Sequence, residues 1–170
     1  MKTLTDQLAQ YAAYHRDRRN VATHFVGIPM IVLALAIVLS RPIWPIPGVA
    51  VALSPAWLLF GGATLYYLVL DRPLGLAMAA ISAACLALGH RIALAGFTVW
   101  LGTAAALFFV GWLFQFVGHI AYEHRKPAFV DDMIGLVIGP LFLLAELLFG
   151  FGWRPALREE IDARVRIVEG

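Results

Sequence analysis

The chain has 170 residues, of which 61% are hydrophobic and 14% charged, with five Trp and a mean hydropathy of +0.80. Soluble domains carry about 25% charged residues, so this composition excludes an ordinary soluble protein and predicts an integral membrane one. The net charge of +2 is too small and too scattered for nucleic acid binding, and the single cysteine, Cys85, excludes an intramolecular disulfide and a cysteine-ligated metal cluster.

In chain order, the first 23 residues are polar and carry both charge signs, unlike a cleavable signal peptide with its apolar centre. The first apolar run is therefore expected to direct insertion. Ahead of it, Leu4, Leu8, Tyr11 and His15 recur every three or four residues, the pattern of an amphipathic helix lying at an interface. Uncharged runs follow at His24–Ser40, Val49–Leu70, Pro73–Gly89 and Ile92–His119, each long enough to cross a bilayer, which takes roughly 20 residues of helix. Pro42, Pro45 and Pro47 prevent helix between the first two runs, and Asp71-Arg72-Pro73 makes a tight reversal, so neighbouring helices are expected to be antiparallel.

A fifth apolar run, Met133–Trp153, contains Gly139-Pro140 and the ionisable Glu146. Lysine and arginine accumulate on the cytoplasmic side of membrane proteins. With four spans and a cytoplasmic N-terminus, the 13 basic residues divide 11 to 2, whereas a fifth span makes the division 7 to 6. The fifth segment is therefore expected to be re-entrant or interfacial. Leu157, Ile161, Val165 and Val168 mark a second amphipathic helix at the C-terminus, with Pro155 in its first turn. The expected fold is an all-α polytopic membrane helical bundle: four transmembrane helices, the re-entrant or interfacial fifth segment, and amphipathic N- and C-terminal helices. Residues 1–170 form a single integral membrane domain with both termini cytoplasmic.

The histidines carry the functional signal. His15, His24, His119 and His124 flank the first and fourth runs, which this topology places on one membrane face, while His90 stands alone in an expected loop, where a surface role is the simpler reading. Residues four apart share a helix face, so Gln115, His119 and Glu123 form one polar stripe. His15 and His24 are nine apart and can meet only if the chain bends between them, with Asn20 or Thr23 capping a new helix. Imidazole and carboxylate ligands with open positions suit a redox-active iron, and the candidate metal set is His15, His24, His119 and Glu123. The plainer alternative is hydrogen bonding to headgroups or water, and for Glu146 pairing with an arginine. The glycines Gly61-Gly62, Gly102 and Gly111 are expected at close helix contacts, and Asp131-Asp132 at a helix N-cap.

Two segments carry a family resemblance: Tyr11-x3-His15-x4-Asn20-x3-His24-x2-Gly27-x-Pro29, and Gln115-x2-Gly118-His119-x3-Glu123-x3-Pro127-Ala128 with the later Gly139-Pro140. Over nearly the whole chain, in order and length, the sequence resembles the 2-hydroxy fatty acid dioxygenase family, whose fungal member acts in phytosphingosine breakdown. The resemblance implies an Fe(II)-dependent enzyme that uses O2 to shorten a long-chain 2-hydroxy fatty acid by one carbon in α-oxidation. His15, His24, His119 and Glu123 match its motifs. A 2-hydroxy carboxylate can chelate iron through both oxygens and leave room for O2. The substrate carboxylate is then expected at Arg16, Arg19 or Arg125 with its chain toward membrane lipid, and Tyr11, Asn20 and Gln115 are the catalytic candidates that orient imidazoles or bound oxygen. In a bacterium the location would be the inner membrane.

The competing reading is a small structural membrane protein or a transporter using Glu146 on a discontinuous segment. A di-iron hydroxylase needs about eight histidines with paired boxes, and this chain has five and no His-His pair.

Overall fold

In the computed structural model, residues 2–48, 53–123 and 133–167 are described. Among them seven α-helices occur: α1 (Leu4–Tyr14), α2 (Arg18–Val38), α3 (Pro55–Leu70), α4 (Arg72–Ala93), α5 (Phe97–Val117), α6 (Ile134–Gly150) and α7 (Pro155–Ile167). A π-helical turn, Gly118–Glu123, continues α5. No strand occurs among the described residues; Trp44 and Leu53 make an isolated antiparallel bridge. Three helices are long and apolar enough to cross a membrane: Arg18–Val38, Arg72–Ala93 and Phe97–Glu123. The chain divides into two compact units, Met1–Ile28 with Leu113–Gly170, and Pro29–Trp112.

In the first unit α1 begins at a capping box: Thr3 Oγ1 accepts from the Asp6 amide at 3.2 Å and Asp6 Oδ2 from the Thr3 amide at 2.9 Å. The Thr3 hydroxyl and the Thr3 amide both donate to Asp6 Oδ2 and hold that carboxyl below its ordinary range. Leu4, Leu8 and Tyr11 form the buried face of α1, which packs against α6 and α7. α7 buries Ile161, and Val168 of its expected stripe lies outside the described residues. The bend expected before the first span is present, but it falls at His15–Asp17. Asp17, not Asn20 or Thr23, starts α2: its Oδ1 accepts from the Arg19 amide at 2.8 Å and its carbonyl from the Val21 amide at 3.0 Å. Asn20 and Thr23 instead lie within α2, and the Thr23 hydroxyl donates to the Asn20 carbonyl at 2.7 Å. α6 runs through Gly139-Pro140 unbroken, because proline removes one amide donor from a helix otherwise rich in helix-forming leucine. Asp131-Asp132 lies outside the described residues.

In the second unit α3 and α4 form a hairpin around Asp71, whose Oδ1 accepts from the Leu74 amide at 3.0 Å. α3 starts only at Pro55, which fits a first helical turn. Its 16 residues span about 24 Å, short of the roughly 30 Å hydrocarbon core. Ala36, Ala56, Phe60 and Leu86 make this unit's buried cluster. His90-Arg91, expected in a loop, occupy the last turn of α4. Basic side chains suit a helix C-terminus, and the Arg41 guanidinium caps that end by donating to the carbonyls of Ala93 at 2.9 Å and Ala95 at 2.7 Å. The expected glycine contacts also differ. Gly61, Gly62 and Gly102 face open space, whereas a Cβ on Gly89 would come within 2.7 Å of the Ala36 carbonyl oxygen.

Candidate metal centre

The first unit brings three histidines from distant positions into one cluster. His15 sits in the bend between α1 and α2, His24 on the second turn of α2 and His119 in the π-helical turn, all buried. One ligating nitrogen from each lies within 4.8 Å of the others. The rings stand at 65° to 85° to one another, with centroids 4.6 to 5.0 Å apart, so they converge on a point instead of stacking. A π-turn re-aims side chains within a helix and recurs at functional sites.

Hydrogen bonds fix which nitrogens face inward. His15 Nδ1 lies 2.8 Å from the Tyr11 carbonyl oxygen and His24 Nδ1 lies 2.9 Å from that of Asn20. A carbonyl only accepts, so each Nδ1 carries the proton and each Nε2 presents a lone pair. The two Nε2 atoms are 3.1 Å apart. Two lone pairs at that distance repel unless a proton or a cation lies between them. Burial pushes the His15 imidazole down to about 4, against the opposing bond to the Tyr11 carbonyl, which disfavours the proton. Two imidazoles bound to one ion at about 2.1 Å and at right angles would have nitrogens about 3.0 Å apart, and the donor set fits a metal on that ground.

Glu123 is placed differently from the other candidates. Its Oε2 lies 3.5 Å from His119 Nδ1, and its Oε1 accepts from the Arg16 amide at 2.8 Å. At 3.5 Å the pair is within ion-pair reach without a hydrogen bond, and the carboxylate stands beside the imidazole, outside the group of three converging histidines. Tyr11 stacks on His15 with centroids 4.1 Å apart and planes within 5°, and packs against Phe142; burial raises its phenol pKa. Asn20 and Gln115 are buried; the Asn20 side chain engages the Glu123 carboxylate, and Nε2 of Gln115 lacks a hydrogen-bond partner. Close approach assembles this floor: a Cβ on Gly118 would collide with Asn20 Oδ1 and Thr23 Oγ1, and one on Gly139 would come within 3.0 Å of the Tyr11 hydroxyl and of Ile28 Cδ1.

Of the expected carboxylate anchors, Arg16 adjoins the cluster through its backbone. The Arg19 guanidinium is engaged by Asp17 at 2.8 Å and lies 4.7 Å over the Tyr122 ring. Arg125 and His124 lie outside the described residues. Glu146 is 4.0 Å from the Arg158 guanidinium, the structural pairing open to it.

Comparison with known proteins gives a consistent result. The family model described as "2-hydroxy-palmitic acid dioxygenase Mpo1-like" matches residues 1–151. The chain is similar to the 2-hydroxy-palmitic acid dioxygenase MPO1 of Saccharomyces cerevisiae, at 34% identity over 169 residues, covering 96% of this chain and 90% of the yeast protein. No solved structure matches.

Proposed function

The chain belongs to the Mpo1-like family of 2-hydroxy-palmitic acid dioxygenases, and from that premise we propose that it is a membrane-embedded, iron-dependent dioxygenase removing one carbon from long-chain 2-hydroxy fatty acids. The observation that carries the metal reading is the convergence of His15, His24 and His119, with the Nε2 lone pairs of the first two 3.1 Å apart. These three imidazoles would hold the metal. Fe(II) bound there supplies the electron-transfer chemistry with O2 that cleavage between C1 and C2 requires.

The protein's own groups do the rest. The Tyr11 and Asn20 carbonyls keep the His15 and His24 protons on Nδ1, and Glu123 keeps the His119 proton on the nitrogen facing it. The Tyr11 ring fixes the plane of His15 and shields it from water. The buried Gln115 amide, whose Nε2 has no partner, is the group we assign to the substrate's 2-hydroxyl and carboxylate, because a buried donor without a partner is costly until a ligand satisfies it; Asn20, which engages Glu123, is assigned to positioning that carboxylate. Arg16 is the proposed carboxylate anchor. The charge asymmetry supports a cytoplasmic face for this site and both termini, and on the four-span reading α3 would cross with local thinning of the bilayer.

The test is the metal content of the detergent-purified protein and its oxygen uptake with 2-hydroxypalmitate, wild type against His119→Ala. Iron near one per chain, lost in the variant together with substrate-dependent oxygen uptake, is the expected result. No metal and no uptake after anaerobic Fe(II) reconstitution would overturn the reading.

A further inference from the structure

α6 is apolar from end to end, yet its two faces differ. Successive residues of a helix turn by about 100°, which puts Met133, Leu136, Pro140, Leu144, Leu147 and Phe151 in one sector about 80° wide that runs the length of the helix. Met133 is 76% exposed at one end and Phe151 83% at the other, with Leu136 and Leu147 exposed between them. The opposite face, with Ile138, Leu141, Phe142, Ala145 and Phe149, is buried.

Two helices cover that buried face. α1 lies over its first half: Tyr11 packs on Phe142 with centroids 4.7 Å apart, and Gln7 and Tyr14 share a small cavity with Ile134 and Ile138. α7 returns over the second half after a tight turn, with Gly152 and Arg154 both at positive φ, and its Arg158 lies 4.0 Å from Glu146 and 5.8 Å from the Phe149 ring. Glu146, the one ionisable residue of α6, is thereby held off the apolar stripe. The covering helices carry charge: α7 exposes Arg158, Glu159, Glu160, Asp162 and Arg166, and its Arg164 pairs with Asp6 of α1.

This two-sidedness decides how α6 can meet a bilayer. Its 17 residues extend about 25 Å, short of the roughly 30 Å hydrocarbon core. A crossing would draw the charges of α7 and the Asp6–Arg164 pair into hydrocarbon, where ionised side chains are rare and costly. Laid flat, the same helix turns its stripe to the acyl chains and leaves the charged helices in water, the geometry of an interfacial helix. Trp153, beside Phe151, carries the Arg154 guanidinium over its ring at 4.8 Å, and tryptophan favours headgroup depth.

We propose that α6 lies in the membrane plane and that its exposed stripe is the surface by which the first unit docks on the acyl chains of one lipid leaflet. The His15 ring lies 6.3 Å from Phe142, on the face opposite the stripe, so the histidine cluster rests above α6 and level with the headgroups. An amphiphile in that leaflet reaches the cluster with its polar end while its chain stays in lipid. That last step rests on the dioxygenase reading; the docking rests on burial and charge alone and holds with or without metal.

The experiment measures depth in the full chain. In a Cys85→Ser background, Met133→Cys, Leu136→Cys, Leu144→Cys, Leu147→Cys and Phe151→Cys each receive a nitroxide label in phosphatidylcholine nanodiscs. Accessibility to dissolved O2, which concentrates in lipid, is compared with accessibility to a water-borne nickel chelate. Glu159→Cys on α7 is the reference for water, and Phe109→Cys, exposed on a helix long enough to span, is the reference for the core. Unchanged circular dichroism checks the fold of each labelled protein, and Pro140→Cys repeats the reading at the middle of the helix. All labels on α6 are expected at one shallow depth, about 5–10 Å into the headgroup and acyl boundary. Middle labels as deep as the Phe109 label, with Met133 and Phe151 at the surface, would overturn the proposal in favour of a crossing or re-entrant helix. So would labels closed to both reagents, which would assign the stripe to a second copy of the chain, or labels as open to nickel as the one at Glu159.

Discussion

His15, His24 and His90 share one local device: each ring places Nδ1 against the carbonyl four residues earlier, on Tyr11, Asn20 and Leu86. The bond fixes the tautomer and sends the Nε2 lone pair away from the helix that carries it. At the cluster, this makes the role of Glu123 separable from that of the histidines. His15→Ala, His24→Ala and His119→Ala should each abolish iron retention, because each removes a converging donor. Glu123→Gln keeps all three imidazoles and loses only the charge behind His119, so iron affinity should fall about 10- to 100-fold without vanishing. Iron titration against a graded chelator separates the cases, and a Glu123→Gln variant as empty as His119→Ala would make Glu123 a ligand. The spacing of the sequence grouped His119 with Glu123 on one face, but face is not depth. The contacts of Glu123 with the Arg16 amide and His119 Nδ1 are what favour an orienting role over ligation, and the spacing alone does not separate the two. His90, expected in a loop, lies in the last turn of α4 for a related reason, since the guanidinium that caps that end comes from Arg41, 49 positions earlier in the chain.

Among the elements, amphipathic and apolar periodicities were legible wherever one helix face decides the structure, as in α1 with Leu4, Leu8 and Tyr11 and in α7 with Ile161. Boundaries were less so. The bend between the first two histidines is required by their spacing, yet Asp17 competes with Asn20 as the helix start and wins because it comes first after the chain turns at His15. Asn20 is thereby released to be buried under the cluster. The glycines show the same limit, since a sequence does not reveal which of them faces a neighbour. Gly118→Ala should destabilise the protein by about 1–3 kcal/mol and weaken iron retention, since its methyl would strike Asn20 and Thr23, which lie in the helix bearing His24. Gly102→Ala meets open space and should be neutral or stabilising by up to about 1 kcal/mol. Thermal unfolding in detergent, read with metal content, checks both; equal Tm and equal iron in the two variants would remove the close-approach argument.

For the molecule as a whole, the histidine cluster depends on a helix that has little stability of its own. α1 has 11 residues, below the length of about 12–15 at which isolated helices persist in water, and it delivers His15 to the cluster. It is held by packing against α6 and α7, and Asp6 pairs with Arg164 of α7. α7 lies beyond residue 151, where the family match ends, yet it buries Ile161 and ties back to α6 through Arg158 and Glu146. The ion pair alone is worth little, because both partners are about 40% exposed and such pairs contribute about 0–1 kcal/mol. Arg164→Ala should accordingly retain iron and turnover. Ending the chain after Trp153 removes the apolar cover as well. It should then cost more helix by circular dichroism than the 13 residues of α7, as α1 frays with it. Iron affinity and oxygen uptake should fall together, because two imidazoles remain in place of three. A truncated chain with wild-type iron content and turnover would show instead that α6 alone suffices to hold α1, and that the C-terminal helix serves something other than the metal centre.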